Sequence, residues 1–98
     1  VHVWIEHTAG TTDGWLIAHS LGATDCGGSA GAPIQYAGEI PGAWPADPMI
    51  NQAGTLISVF PVGAAGTYTY YCNVRMWTGQ SAADEVSEAE TIAVFYPS

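Results

Sequence analysis

The sequence predicts an all-β domain, an antiparallel Greek-key β-sandwich, on three observations. Its apolar residues recur mostly with a period of two, the strand signature. Turn formers are dense, with 12 Gly and 6 Pro in 98 residues, and they divide the chain into the short periodic runs that sandwiches use. The chain is too short to bury a second core, so residues 1–98 are expected to form a single domain.

Val1, Val3 and Ile5 alternate with His2, Trp4 and Glu6, which predicts a first strand. It is apolar on both faces, and at a sheet edge it would pair with a neighbouring copy. A turn-rich break over residues 8–14 precedes a second strand over 15–21. Residues 22–54 hold most of the Gly and Pro and read as irregular, with a short strand over 33–36 and a turn at Ile40-Pro41-Gly42. Pro45 and Pro48 exclude a helix interior or a central strand there.

The C-terminal half is more regular. It predicts a strand over 55–60, a turn over 61–66, a long strand over 67–77 and a last strand over 91–96. On the long strand Tyr68, Tyr70, Cys72, Val74 and Met76 share the face expected to meet the core, and Tyr71, Asn73, Arg75 and Trp77 share the other. Between the last two strands, Ser81 and Asp84 have capping-box-like spacing, which allows a short helix near 81–90. Such a helix would need tertiary support.

Nine Asp and Glu stand against one cation, Arg75, for a net charge of −8. Nucleic-acid binding rests on Lys and Arg displacing counterions from phosphates, so no nucleic-acid partner is expected. Anionic membrane surfaces are disfavoured for the same reason. The uninterrupted apolar runs are far shorter than a spanning helix requires, so membrane insertion is not expected. The chain opens on Val1 rather than methionine, which reads as a processed product or a fragment. Cys26 and Cys72 form an even pair without metal-finger spacing. A disulfide between them would contribute about 4 kcal/mol by restricting the unfolded chain, and it would fit an extracellular, cell-surface, virion-surface or periplasmic setting.

No chemistry-bearing motif stands out. The sequence lacks a G-x-S-x-G elbow, a P-loop and a dinucleotide fingerprint, so no catalytic residue and no cofactor are assigned and no enzymatic activity is expected. His2 and His7 have opposite strand parity, while His7 and His19 could meet across neighbouring strands, with Glu6 or Asp13 as carboxylate partners. One such pair is not a metal site. Asp84, Glu85, Glu88 and Glu90 lack the alternation and central glycine of a calcium loop and read as a solvated acidic segment.

Gly66-Thr67-Tyr68-Thr69-Tyr70-Tyr71-Cys72 resembles a segment found in two sandwich families, and the likeness covers residues 55–77. It is similar to immunoglobulin-like domains, with Tyr70 two residues before Cys72 and the run Thr55-Leu56-Ile57-Ser58 as the preceding strand. The tryptophan those domains carry about a dozen residues after the first cysteine is absent. It also resembles the cupredoxins, in which the cysteine, two histidines and an axial methionine hold copper. Arg75 stands where that family places its second histidine, and no histidine follows His19. That resemblance implies a copper-free relative or an electron carrier with an altered site.

The functional expectation is a non-catalytic exported structural module, such as a subunit of an extracellular filament, a surface layer or a virion decoration. It would act by self-association or by contact with another protein. The outward Tyr71, Asn73, Arg75 and Trp77, together with Trp4, are the candidate contact residues, since aromatic residues and Arg dominate contact hot spots. A cupredoxin-like copper protein is the alternative. Aromatics presented to a carbohydrate are a third option.

Overall fold

The computed structural model describes residues 1–20 and 34–95. It comprises β1 (His2–His7), β2 (Asp13–Ser20), β3 (Ile34–Ile40), β4 (Asp47–Ala53), β5 (Tyr71–Thr78) and β6 (Glu85–Glu88), with no helix among the described residues. These form two three-stranded sheets, ordered β4-β1-β6 and β3-β2-β5, and every pairing is antiparallel. The all-β expectation holds.

The alternation of β1 buries Val3, Ile5 and His7 and exposes His2, Trp4 and Glu6. Val3 and Ile5 meet Trp15, Ile17 and Ile40 of the other sheet in one buried cluster. Val1, Ala37, Ile50, Leu56, Cys72, Val74 and Met76 pack around it, partly buried. Full burial of one such aliphatic side chain is worth about 2 kcal/mol, so this small core is a modest source of stability.

The sheets connect at one end, where the β1–β2 and β3–β4 loops are tied by a 2.7 Å hydrogen bond from Gly10 N–H to Gly42 O. The expected turn after Ile40 is present, closed by Trp44 N–H donating to Pro41 O at 3.0 Å. β4 arises within the stretch read as irregular. Pro48 lies near its start, and β4 is an edge strand, where a missing N–H is tolerated. The short strand expected over 33–36 is the start of the longer β3.

Three expectations need correction. β1 is the middle strand of its sheet, so it offers no edge to a neighbouring copy. The long strand is assigned only from Tyr71, and residues 55–60 and 91–95 join no ladder among the described residues. The short helix near 81–90 is absent, and β6 occupies that stretch.

The capping-box contacts near 81–90 nonetheless form. Ser81 N–H donates to Asp84 Oδ2 at 2.7 Å, and Ala83 N–H donates to Ser81 Oγ at 3.2 Å. They close a turn rather than open a helix, because Asp84 Oδ1 also accepts the Glu6 N–H of β1 at 2.9 Å. Ser81 Oγ donates to Glu6 Oε1 at 2.7 Å. This docking sets Val86 opposite Val3, and the β ladder supplies the bonds that a two-turn helix would have needed. Replacing Asp84 with Ala removes the acceptor for two backbone donors. The expected cost is about 2 kcal/mol, read as a lower urea midpoint with faster amide exchange at Glu6 and Ser81.

Candidate functional site

The outer face of the β3-β2-β5 sheet carries the contact residues expected on β5. Tyr71 and Trp77 are exposed, Arg75 is exposed and Asn73 is half-buried, while Cys72, Val74 and Met76 face the core. The strand parity read from the sequence therefore holds over residues 71–77, whereas Tyr68, expected on the core face, is exposed and precedes the strand. Trp4 is exposed but belongs to β1 in the other sheet. It and Arg75 both border a cleft of about 240 Å³ at the β5–β6 side, along with Val3, Met76 and Val86.

Tyr36 of β3 and Gly14 of β2 complete this face. The Trp77 indole lies directly against Gly14, where any side chain would collide with the ring. Crossing β2 in this way brings it edge-to-face with Tyr36, centroids 6.0 Å apart and planes at 87°. Leu16, set in register between Tyr36 and Arg75, is only 3% exposed although it points away from the core. Tyr36 and Trp77 remain 68% and 41% exposed, so the pair forms an open aromatic platform. The sequence did not mark Tyr36 or Gly14 for this role, since linking β3 to β5 across β2 requires the strand order.

His7 and Asp13 form a buried pair joining the two sheets. His7 Nδ1 donates to Asp13 Oδ2 at 2.5 Å and Nε2 donates to Trp44 O at 3.1 Å. An acceptor at each ring nitrogen favours the doubly protonated imidazolium over the neutral ring. Its pKa is raised above the ordinary 6.5, chiefly by the Asp13 hydrogen bond. Burial opposes the rise, while the Trp44 carbonyl and the charges of Asp13 and Asp47 add to it. Gly79, at φ +75°, leaves the space that the Asp13 carboxylate fills. With both ring nitrogens engaged, His7 is a structural tie rather than a free ligand.

The remaining histidines stand apart. His2 is exposed on β1, and His19 Nδ1 meets Ser58 Oγ at 2.7 Å. His19 faces Cys72 in register across β2 and β5, so a thiol and an imidazole adjoin on the inner face. Cys72 is a free, half-buried cysteine in the structure, and Cys26 falls outside the described residues. A copper centre needs a second imidazole. His7 is committed to Asp13 and Trp44, so these residues do not fit the cupredoxin ligand set. Among the described residues, no group of three or more His, Cys, Asp or Glu could hold a metal. In the acidic segment both Asp84 oxygens accept backbone N–H groups, and Glu85 and Glu88 are exposed.

Compared with protein-family models, curated proteins and solved structures, the chain matches none.

Gly14→Ala should push the Trp77 ring off β2 and break its contact with Tyr36. The expected readout is a loss of near-ultraviolet circular dichroism with the far-ultraviolet spectrum retained. His7 also sets a pH dependence. Because its folded pKa is raised, its contribution is complete below pH 6.5 and is lost as pH rises through the folded value. The melting temperature should therefore fall as pH increases above about 6.5, and His7→Asn should flatten that slope while lowering stability at pH 6.

Proposed function

We propose that the protein is a non-catalytic, exported assembly module that works through contacts with copies of itself or with another protein. On this reading its two sheets belong to a Greek-key sandwich, and Cys26 and Cys72 bond to each other in the oxidised, extracellular or surface-borne form. The observation that carries the reading is the open platform of Tyr36 and Trp77, with Arg75 next to Trp77 on the strand and Tyr71 at its far end on the same sheet face. Tyr, Trp and Arg are the residue types that supply most of the energy in protein contacts, and the Trp77 ring is seated against Gly14. A net charge of −8 keeps separate copies soluble and makes any self-association salt-dependent.

Light scattering and sedimentation over a concentration series test it. The native chain should associate, more strongly at higher salt. Trp77→Ala should weaken association about 30-fold, as loss of a hot-spot residue worth about 2 kcal/mol does. A strict monomer at every concentration that also ignores candidate partner proteins would overturn the proposal. Intact mass tests the disulfide separately, through the loss of two hydrogens. The copper reading keeps one supporting observation, the Cys72 thiol beside His19. An intense visible band on adding Cu(II) to reduced protein would favour it over the assembly role.

A further inference from the structure

The bulge in the β2–β3 ladder places a carboxylate beside the aromatic platform. In register, Gly14 faces Glu39, Trp15 faces Gly38 and Leu16 faces Tyr36, so Ala37 is the extra residue. Gly38 abuts Trp15 and Gln52 on the inner side, and Ile40 is wholly buried. Glu39, between them, is exposed on the outer face, which the bulge makes it share with Tyr36.

Gly14, the cross-strand partner of Glu39, is also the residue on which Trp77 rests. A Cβ at Gly14 would be nearly equidistant from three consecutive indole atoms, Cε2, Cζ2 and Nε1, so the ring lies flat over the β2 backbone. One ring face meets that backbone and the other turns outward. Tyr36 stands beside it at right angles, and Glu39 starts one strand spacing from Gly14, about 4.8 Å. The three form a corner with an indole floor, a phenol wall and a carboxylate. Arg75 lies opposite Leu16 on the far strand, diagonally across the face from Glu39.

The chemistry of the corner selects its occupant. The face of an indole attracts cations, as a carboxylate does, whereas an anion would be repelled by Glu39 and by a net charge of −8. A sugar ring gains most from coplanar aromatic faces, and Tyr36 stands perpendicular to Trp77. A quaternary ammonium would suit the rings but has no N–H to donate to Glu39. A lysine or arginine side chain engages all three groups, laying its apolar stem on the rings and its charged head on the carboxylate. A second copy of this chain has one such side chain, Arg75, and would bring another charge of −8 with it.

We propose that the corner of Tyr36, Trp77 and Glu39 takes a lysine or arginine side chain from a basic segment of a different polypeptide. The inference rests on the platform being a contact surface and specifies the chemistry of its partner.

The test titrates the full chain, followed by NMR, with capped seven-residue Gly-Ser peptides carrying one central lysine, arginine or norleucine. Both basic peptides should saturably shift the Trp77 indole N–H and the Glu39 amide, and the neutral norleucine peptide should not. Glu39→Gln and Trp77→Ala should each weaken binding about threefold, the size expected of an exposed ion pair or cation–π contact. Glu88→Gln, on the other sheet, should leave affinity unchanged. Higher salt should weaken peptide binding, the opposite of its expected effect on self-association. The inference fails if norleucine binds equally well, or if neither basic peptide shifts these signals. It fails too if a trimethyllysine peptide binds more tightly and is indifferent to Glu39→Gln, which marks a quaternary-ammonium site. Weakening of self-association by Glu39→Gln would seat a second copy's Arg75 in the corner and overturn it as well. A chain that associates through Trp77 yet ignores basic peptides keeps the assembly reading and loses this one.

Discussion

Trp15 is wholly buried between the two sheets, and much of the fold is arranged around its indole. The ring N–H lies in a dry interior and must be satisfied, and Gln52 of the opposite sheet accepts it at 2.7 Å. That one bond brings β4 over the β3 side of the partner sheet. Room for the ring comes from backbone. A side chain at Gly38 would strike the indole nitrogen and Gln52, and one at Gly54 would press on the far edge of the ring. The bulge between Trp15 and Leu16 in the β2–β3 register then turns Tyr36 to the outside, where it meets Trp77. The inner tryptophan thus helps set the position of the outer aromatic pair.

The two ends of the molecule differ in kind. At one, the β1–β2 and β3–β4 loops converge on the His7–Asp13 pair, with Trp44 and Gly79 packed against it. Polar groups there are paired and the sheets are tied together. At the other end Ile57, Val59, Ile92 and Val94 stay exposed. The Cα radius of gyration, 15.5 Å, exceeds the value of about 13 Å typical of a compact domain of 100 residues, and the long axis reaches 51 Å.

Legibility in the sequence followed the range of the interactions. The faces of β1 and β5 could be read because alternation is local and each strand buries one side. β4 was obscured by its prolines, since only the strand order shows that it lies at an edge, where Pro48 is tolerated. The Ser81–Asp84 spacing suggested the start of a short helix, yet its consequence was decided by Glu6, 78 residues from Asp84 in sequence, and a strand formed instead. His7 and Asp13 were both candidate ligands. Spacing alone could not reveal that Trp44 closes the remaining ring nitrogen. The Tyr36–Trp77 contact also depended on strand order, and no local pattern announced it.

The stretches where strands were expected but no ladder formed, 55–60 and 91–95, are the most informative mismatch. Their composition favours extended backbone: Ile57, Val59, Ile92 and Val94 are β-branched, and the first run is extended enough to keep its alternation. A ladder, however, requires a partner at strand spacing, and no described residue pairs with either run in a ladder. Propensity and pairing thus part company in the first run, where Leu56, Ser58 and Phe60 make tertiary contacts on one side while Ile57 and Val59 stay exposed on the other.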